Sequence, residues 1–404
     1  MQRIVITGLG VISPIGNNVK EFGENLFAGR GGTATMTFPS RGQDVTFPAA
    51  PVKGFVPEEY IDPKKIPMLD RFSQFAVAAA TQAMRDSGIV LTEENAERMA
   101  VITGTGVGGQ GTLEEQYNKL LDPAGSGRVH PFTIPRLMAN AGSSQISMAL
   151  GIKGPGFTVA SACASAIHAM GVTLSMLRSG LIDSAITGGA EACLTLGTLR
   201  GWEALRVMAP DVCRPFSGGR LGMVLGEGAG MFVLETEEKA RKRGAKIYGE
   251  FAGFGMSSDA KDITTPDKAG AARAVVNCLG DARMSPDDID YINAHGTGTR
   301  INDATETGAL KIALGARAKE IALSSSKSMF GHALGAAGAL EMLATILSVN
   351  ADVAPPTINY LERDPECDLD YVPNEARPMK IRVALNNSFA FGGLNAAVAV
   401  RKFA

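Results

Sequence analysis

Strand-like runs that end at a glycine or a small polar residue recur along the chain and alternate with helical patterns. The runs are Ile4–Thr7, Met99–Thr103, Ser184–Gly188, Gly230–Leu234, Tyr291–Ala294, Ile321–Ser324 and Val383–Asn387. The helical patterns between several of them are Arg71–Asp86, Cys163–Ser179, Ala271–Leu279 and Gly335–Val349. Strands that alternate with amphipathic or alanine-rich helices predict a layered α/β fold.

Composition narrows the class of function without identifying it. The 39 Lys and Arg residues nearly balance the 41 Asp and Glu residues, so the net charge is −2. This balance gives no support for nucleic-acid binding, although a local basic patch could still bind an acidic partner. The five cysteines lack CxxC spacing. A disulfide framework or a zinc site is therefore not expected, and a cytoplasmic location is.

Two segments bear on membrane insertion and on domain organisation. The segment Gly154–Leu177 contains no formally charged residue, but it includes Pro155, His168 and several Ser and Thr residues. We expect a buried helix with its leading strand there and no membrane insertion. The charged stretch Glu237–Gly244 is the best boundary between two halves. We therefore expect halves at residues 1–245 and 246–404.

Cys163 lies where a strand pattern meets a helix pattern. Phe157–Val159 suits a strand, and the sequence from Ala164 to Gly180 suits a helix. At the N-terminus of a helix, the backbone dipole and free N–H groups favour a thiolate and can hold an oxyanion. The segment alone leaves a second interpretation equally open, because free cysteines are commonly small buried structural residues.

Two of the four histidines lie in glycine-containing loops after predicted strands. His295 follows Tyr291–Ala294 and precedes Gly296, and His332 follows Gly331 after a second strand. An imidazole at the carboxyl end of a strand in an α/β fold points into the usual ligand crevice. His168, inside the helix after Cys163, and His130, beside a proline, are expected to be structural.

Four phrases of the sequence resemble those of the β-ketoacyl-acyl-carrier-protein synthases, best the elongating type II enzymes with a Cys-His-His triad. They are Ala-Cys-Ala-Ser, Asn-Ala-His-Gly-Thr-Gly-Thr, Lys-Ser-Met-Phe-Gly-His-Ala-Leu-Gly-Ala-Ala-Gly and Asn-Ser-Phe-Ala-Phe-Gly-Gly-Leu-Asn. The resemblance covers essentially the whole chain. It implies a thiolase-like fold with two pseudo-equivalent α/β halves in five layers (α-β-α-β-α). It also implies a homodimer that needs no cofactor.

The resemblance implies a decarboxylative condensation in fatty acid elongation, with acyl- and malonyl-loaded acyl carrier protein as the partner. Cys163 would accept the acyl chain as a thioester, in the first half of a two-step reaction. His295 and His332 would then donate hydrogen bonds to the malonyl carbonyl as carbon dioxide leaves. Lys327 matches the family's active-site lysine, and Glu306 matches its ion partner.

Further roles are implied by the same resemblance. Phe391 matches the gate of the acyl pocket, and its backbone N–H would share the oxyanion with that of Cys163. Thr297 and Thr299 match hydroxyls that contact the pantetheine arm, and Trp202 falls at an aromatic of the acyl pocket. We expect no catalytic metal. Some relatives hold a structural monovalent cation, and that site remains open here at Asn293, Glu341 and Asn387. Candidate contacts for the acidic carrier protein are Lys64, Lys65, Arg71, Arg200 and Arg206.

Several alternatives remain at this point. Gly104–Gly109 satisfies G-x-G-x-x-G, which raises dinucleotide binding, but no acidic residue follows at a persuasive spacing. A thiolase would need a second cysteine in a glycine-rich setting, and Cys367 lacks one. A non-catalytic partner subunit would usually lack the cysteine that this chain retains. The chain could instead act in a specialised lipid, polyene or polyketide pathway, or in a ketosynthase heterodimer. Ala390 and Leu394 replace common family residues, so the gate could behave differently.

Overall fold

The computed structural model describes residues 2–40 and 42–403 and is organised around a ten-stranded sheet. The strands are β1 (Ile4–Ile12), β2 (Ala34–Ser40), β3 (Gln43–Ala50), β4 (Met99–Gly104), β5 (Gly156–Val159), β6 (Ser184–Glu191), β7 (Leu225–Gly226), β8 (Gly228–Thr236), β9 (Gly249–Ser258), β10 (Tyr291–Asn293), β11 (Ala322–Ser324), β12 (Val353–Ala354), β13 (Arg377–Pro378), β14 (Val383–Ala390) and β15 (Leu394–Arg401). The α-helices are α1 (Val19–Phe27), α2 (Arg71–Ser87), α3 (Glu93–Ala96), α4 (Gln110–Leu121), α5 (Thr133–Leu137), α6 (Ala141–Leu150), α7 (Ser165–Arg178), α8 (Leu196–Ala204), α9 (Glu237–Lys242), α10 (Lys268–Ala282), α11 (Arg300–Leu314), α12 (Lys327–Phe330) and α13 (Ala337–Ala351).

The large sheet consists of two five-stranded arms with the same pattern of strand directions. One arm has the order β5-β4-β6-β8-β1 and the other has the order β11-β10-β14-β15-β9. In each arm the first three strands are parallel, and the last two are antiparallel to their neighbours. The arms join where β1 pairs with β9 at Val5–Glu250 and Ile6–Gly249. This repeat confirms the prediction of two pseudo-equivalent α/β halves.

Three hydrophobic clusters define the layers. The central cluster contains residues of α7 and α13, such as Met170 and Leu343, together with side chains from both arms. A second cluster packs α2 and α6 on the outer face of the β1-containing arm. A third packs α10 and α11 on the outer face of the β10-containing arm. The order is therefore helix, sheet, helix, sheet, helix, as the predicted five-layer architecture requires.

Helix α2 illustrates how the local sequence sets an element's bounds. Asp70 caps the N-terminus by accepting a hydrogen bond from the backbone N–H of Phe72 at 3.1 Å, and Gly88 ends the helix with a φ of 66°. Glycine in β1 allows α2 to approach the sheet closely. A Cβ on Gly10 would lie 1.9 Å from the backbone oxygen of Ala79. The helix could not pack at this distance against a larger residue.

All seven predicted strands and all four predicted helices overlap observed elements. The unpredicted elements include α11, β9 and β15, and a further one is the β2–β3 hairpin. Its strands are only partly buried and carry no strong apolar run, so the pattern that identifies a core strand is missing. The expected division at residues 245 and 246 falls between α9 and β9, and we propose it as the division between the halves.

Two stretches bear on the expectation of no membrane insertion. The uncharged segment Gly154–Leu177 forms β5 and most of α7, and α7 belongs to the central cluster. By length and composition alone, Leu334–Ala351 could span a membrane, but 83% of this stretch is buried inside the protein. Its burial is that of a core helix.

Candidate active site

Cys163 lies in the turn that joins β5 to α7 and is 6% exposed. The residue before it, Ala162, has a φ of 50°, which is uncommon for a residue with a side chain. Ser165 holds this turn from both sides. Its hydroxyl donates to the backbone oxygen of Ala162 at 2.6 Å and accepts from the backbone N–H of Ser161 at 2.9 Å. The thiol is thus presented by a strained turn, two residues before the first residue of the helix.

His295 follows β10, in the loop that leads to α11. Glu306 lies within α11, and its buried carboxylate accepts hydrogen bonds from the backbone N–H groups of His295 and Gly296, both at 2.8 Å. Burial raises the pKa of Glu306 to about 7, while these two N–H groups oppose the rise. Glu306 therefore fixes the backbone of the histidine loop.

Lys327 is the first residue of α12 and is fully buried. Its ammonium forms an ion pair with Glu341 of α13. It also donates to the backbone oxygen of His295 at 2.6 Å and lies 3.4 Å from Nδ1 of the same imidazole. The prediction that Glu306 is its ion partner is wrong. The Glu306 oxygens accept the backbone N–H groups of the histidine loop instead. Glu341, from α13, lies against the lysine.

His332 lies between α12 and α13, and backbone contacts fix its position. Its N–H donates to the oxygen of Val224 at 2.7 Å, and its own oxygen accepts the N–H of Gly226 at 3.0 Å. Nδ1 of its ring accepts the backbone N–H of Leu334 at 3.1 Å, and Leu334 has a φ of 45°. A neutral His332 therefore carries its proton on Nε2.

The three predicted triad residues converge, although they come from three separate loops. The sulfur of Cys163 and a ring nitrogen of each of His295 and His332 all lie within 4.8 Å of one another. The two imidazole rings are nearly perpendicular, with centroids 5.5 Å apart. Within residues 2–40 and 42–403, no other group of three or more His, Cys, Asp or Glu side chains meets that spacing for one metal ion.

Burial shifts the titration of the thiol and the imidazoles in opposite directions. It raises the pKa of Cys163 to about 12, and the Lys327 ammonium and the Phe391 backbone N–H oppose that rise. It lowers the pKa of His295 and that of His332 well below the ordinary value, and the Lys327 ammonium lowers both further. In each case the charged form is disfavoured. The resting site thus holds a thiol and two neutral imidazoles.

These side chains open into a cavity of ≈ 530 Å³. Thr297 and Thr299 line it, and their hydroxyls are 2.9 Å apart. Aliphatic side chains that are more than half exposed also line it: Leu221, Ile263 and Ile301. The cavity therefore brings two hydroxyls and exposed apolar side chains together with the Cys163 thiol.

Phe391 lies in the turn between β14 and β15, where it meets Trp202 with ring centroids 5.5 Å apart. Both side chains line the cavity. The turn's positive φ values belong to Gly392 and Gly393, at 82° and 67°. Ala390 is the last residue of β14, where no such backbone angle is needed, so its replacement of glycine leaves the turn intact.

The residues considered for a monovalent cation offer unpaired oxygens. Among the described residues, Oε2 of Glu341 and both polar side-chain atoms of Asn387 are buried without a hydrogen-bond partner. The amide of Asn293 donates to Ser326 at 3.2 Å and to the backbone oxygen of Glu341 at 3.4 Å. Hard oxygen donors of this kind fit an alkali cation. Glu341 and Asn387 therefore each have a buried side-chain oxygen that is available to such an ion.

The predicted carrier-protein contacts divide into two groups. Arg71 binds the buried Glu227 at 2.8 Å, and Arg200 binds Glu203 at 2.6 Å. Lys64, Lys65 and Arg206 are exposed, and Arg206 lines the cavity. Arg300, which sequence reasoning did not select, also lines the cavity. Its position at the first residue of α11, after the histidine loop, was the available signal.

Two of the alternatives, dinucleotide binding and a thiolase, fail on geometry. In the Gly104–Gly109 loop, the N–H groups of Gly106 and Val107 donate to the carboxylate of Glu191, at 2.6 and 3.3 Å, so they are not free for a pyrophosphate. Cys367 is buried in the outer cluster of α10 and α11, away from the cavity lining.

The other two histidines do not line the cavity. His168 hydrogen-bonds Ser161 at 2.7 Å, and Nδ1 of His130 accepts the N–H of Phe132 at 3.1 Å.

The chain matches known proteins over its whole length. Residues 1–240 match the family "Beta-ketoacyl synthase, N-terminal domain", and residues 248–361 match "Beta-ketoacyl synthase, C-terminal domain". Nodulation protein E of Rhizobium sp. (strain N33) is 45% identical over 99% of both chains. The 3-oxoacyl-[acyl-carrier-protein] synthase 2 of Synechocystis sp. is 43% identical over 100% of this chain and 98% of its own. A solved structure of the ishigamide ketosynthase/chain length factor superposes with a TM-score of 0.94 at 39% identity, covering 100% of both chains. The chain belongs to the β-ketoacyl synthase family.

Proposed function

We propose that this chain joins an acyl group held on Cys163 to a malonyl unit held on acyl carrier protein, with loss of carbon dioxide. The product is a β-ketoacyl chain two carbons longer, as in fatty acid elongation. One observation carries the proposal: a thiol and two neutral imidazoles lie within 4.8 Å of one another and line one cavity. Each of the two half-reactions needs a different part of that group.

In the first half-reaction the sulfur of Cys163 attacks the thioester of the incoming acyl chain. The thiol first gives its proton to solvent, the new S–C bond then forms as the pantetheine sulfur leaves, and the leaving thiolate takes up one proton. The step is therefore balanced in protons. The backbone N–H of Phe391, which faces the sulfur of Cys163, stabilises the oxyanion of the tetrahedral intermediate together with that of Cys163.

In the second half-reaction the malonyl thioester loses carbon dioxide and becomes an enolate. Nδ1 of His332 is held by the N–H of Leu334, and Nδ1 of His295 lies beside the Lys327 ammonium. Both Nε2 atoms therefore carry protons and donate to the enolate oxygen. The carbanion attacks the acyl carbon, the Cys163 sulfur leaves, and one proton from solvent restores the thiol.

Lys327, Glu341 and Glu306 act on the histidines rather than on the substrate. An ammonium can only donate, so Lys327 beside Nδ1 holds His295 in the tautomer with a proton on Nε2. Glu341 compensates the buried charge of Lys327. Glu306 fixes the backbone of His295. The fit of Glu341 and Asn387 to a monovalent cation supports a structural ion that would further neutralise this region.

Acyl carrier protein is the proposed partner, because the similar synthase of Synechocystis is named for it. The exposed Lys64, Lys65 and Arg206 would contact its acidic surface. The hydroxyls of Thr297 and Thr299 line the cavity where a pantetheine arm would reach Cys163. We propose a cytoplasmic location, where the five free, buried cysteines would stay reduced.

A homodimer is proposed from one edge of the large sheet. Strand β5 ends the sheet, and an unpaired edge strand is a surface for pairing with another chain. Exposed apolar side chains lie on β5 and on the nearby α4–α6 region: Tyr117, Leu120, Leu121, Val129, Phe132, Ile134, Met138, Met148 and Phe157. A relative of similar fold could occupy the same edge. The likeness to a ketosynthase/chain length factor supports that second arrangement and a specialised pathway.

Intact-protein mass spectrometry tests the proposed function. The wild type and Cys163→Ala are each incubated with acyl-carrier proteins of different chain lengths, and malonyl-carrier protein is then added. An acyl adduct on the wild type alone, discharged by the malonyl donor, is the expected result. Absence of an adduct with every donor would contradict the proposal. Size-exclusion chromatography with light scattering distinguishes the homodimer from a chain that needs a different subunit.

A further inference from the structure

The carboxylate of Glu191 takes no part in the chemistry proposed above, although it lies among the segments that build the site. Glu191 is the last residue of β6 and is fully buried. Its hydrogen-bond partners in the described residues are all neutral donors rather than cations. A buried carboxylate is costly unless its oxygens are hydrogen-bonded, so this arrangement needs an explanation.

The two oxygens of Glu191 accept hydrogen bonds from different segments. Oε1 accepts the hydroxyl of Thr105 at 2.8 Å and the N–H of Val107 at 3.3 Å, and the thiol of Cys193 lies at 3.5 Å. Oε2 accepts the N–H of Gly106 at 2.6 Å and the N–H of Gly335 at 2.9 Å. These partners all donate, so the site is built for an acceptor without a proton. Burial raises the pKa of Glu191, and its donors oppose that rise.

The contact with Gly335 links Glu191 to His332, which lies three residues earlier in the chain. Gly335 follows Leu334, whose backbone N–H holds Nδ1 of His332 and whose φ is 45°. The packing around this turn is tight. A Cβ on Gly335 would lie 2.1 Å from the backbone nitrogen of Gly106 and 2.7 Å from Oε2 of Glu191. A displacement of the carboxylate would therefore move the turn that orients the imidazole.

We propose that Glu191 is a positioning residue for His332: its carboxylate fixes the Leu334–Gly335 turn against the Gly104–Gly109 loop and thereby aims Nε2–H at the malonyl carbonyl. The inference rests on the proposed role of His332 in decarboxylation. It also assigns a purpose to the G-x-G-x-x-G sequence. The loop supplies backbone N–H groups to an internal anion instead of to a nucleotide phosphate.

Substitution by glutamine changes the charge and the donor pattern while keeping the size. The amide of Glu191→Gln has one acceptor oxygen. Its NH2 group would face either the N–H groups of Gly106 and Gly335 or the donors around Oε1, the hydroxyl of Thr105 and the N–H of Val107. In both orientations a donor would meet donors. Glu191→Asp keeps the charge but withdraws the carboxylate from Gly335 by one methylene. A control is Glu235→Gln: Glu235 is also a buried strand carboxylate and does not line the cavity, but it is bound to the Arg243 guanidinium as well as to the Thr7 hydroxyl, both at 2.5 Å.

The two half-reactions are measured separately in full-length protein. We expect Glu191→Gln and Glu191→Asp to slow carbon dioxide release from malonyl-carrier protein by about 10- to 100-fold, since an imidazole misplaced by about 1 Å loses most of its effect. Acylation of Cys163, measured by intact mass, should not slow: the Glu191 charge contributes to the raised pKa of the thiol, so removing it in Glu191→Gln favours the thiolate. Glu235→Gln should change both rates by the same factor, as a loss of stability alone would.

Several outcomes overturn the proposal. Equal slowing of both half-reactions in the Glu191 variants would assign Glu191 to the general stability of the fold. Unchanged carbon dioxide release would mean that the turn is held without it. Failure of both variants to fold, when Glu235→Gln folds, would also make Glu191 a folding residue alone. His332→Ala separates this inference from the proposed function. If that variant releases carbon dioxide normally, the role of His332 itself is wrong.

Discussion

The nucleophile turn and the histidine region meet in one cavity but are built differently. The turn around Cys163 is held by bonds among residues 161–165, all close in sequence. The histidines depend more on residues outside their own loops: Glu306 and Lys327 support His295, and Val224 binds the backbone of His332, whose ring is also held by the neighbouring Leu334. Burial then acts on both regions. It keeps the thiol protonated and the imidazoles neutral. One environment thus prepares a nucleophile on one side and hydrogen-bond donors on the other.

The largest expected effect comes from removing one partner of the buried ion pair between Lys327 and Glu341. Lys327→Met leaves the Glu341 carboxylate buried without its cation, and we expect the free energy of unfolding to fall by about 3–5 kcal/mol. Urea denaturation measures the loss. The double variant Lys327→Met with Glu341→Gln should recover most of it, because no buried charge remains unpaired. A loss below about 1 kcal/mol in the single variant would contradict the pairing.

Substitution of either histidine should separate the two regions. We expect His295→Ala or His332→Ala to slow carbon dioxide release by about 10²–10³-fold, the loss seen when one donor to a developing oxyanion is removed. Formation of the acyl adduct on Cys163 should continue. Carbon dioxide release and intact mass, followed in parallel, measure the two. Equal loss of both activities would mean that the histidines also activate the thiol.

The pH dependence of the two half-reactions should differ because burial shifts the two kinds of group oppositely. The pKa of Cys163 is raised to about 12, so thiolate is scarce at neutral pH and acylation should speed up as pH rises, by up to about tenfold per pH unit. The pKa values of His295 and His332 are lowered, so both imidazoles stay neutral between pH 6 and 8. Carbon dioxide release by the wild type should then show no titration of the imidazoles over this range, and a fall below about pH 7 would report protonation of Glu306, whose pKa is raised to about 7. Acylation that is independent of pH would contradict the buried thiol.

The smallest expected effect concerns the acyl chain rather than either reacting region. Trp202 packs against the gate residue Phe391 and lines the cavity. We expect Trp202→Ala to favour donors two carbons longer by about tenfold in the rate of acylation, since each buried methylene contributes about 0.8 kcal/mol. Competition between carrier-protein donors, read by intact mass, measures the preference. Trp202→Phe is the control and should shift the preference less. An unchanged preference would make Trp202 a plain packing residue.

The sequence was most informative where structure is local. The strand pattern at Phe157–Val159 and the helix pattern after Ala164 predicted the turn at Cys163, and the helix begins at Ser165. The positive φ of Ala162 could not be predicted, because alanine has no particular preference for that backbone conformation. His295 and His332 were predicted to follow strands and do so, but their distance from Cys163 depends on how the two arms of the sheet meet.

The sequence was least informative about which buried charged groups pair with each other. Glu306 and Glu341 both lie near Lys327, and only the packing of α13 against the histidine loop decides between them. A weaker signal was present. Glu341 lies between Leu340 and Met342 and is the only charged residue of α13, and a carboxylate buried there needs a compensating group. Glu191 was missed for the same reason, since its donors come from two loops far apart in sequence.

The most direct test of the account compares both half-reactions in Cys163→Ala and His332→Ala side by side. Each purified variant is assayed for the acyl adduct by intact mass and for carbon dioxide release from malonyl-carrier protein. The account predicts that Cys163→Ala forms no adduct but still releases carbon dioxide, whereas His332→Ala forms the adduct but hardly releases carbon dioxide. Loss of both activities in both variants, with the fold intact, would contradict the division of labour between the two regions.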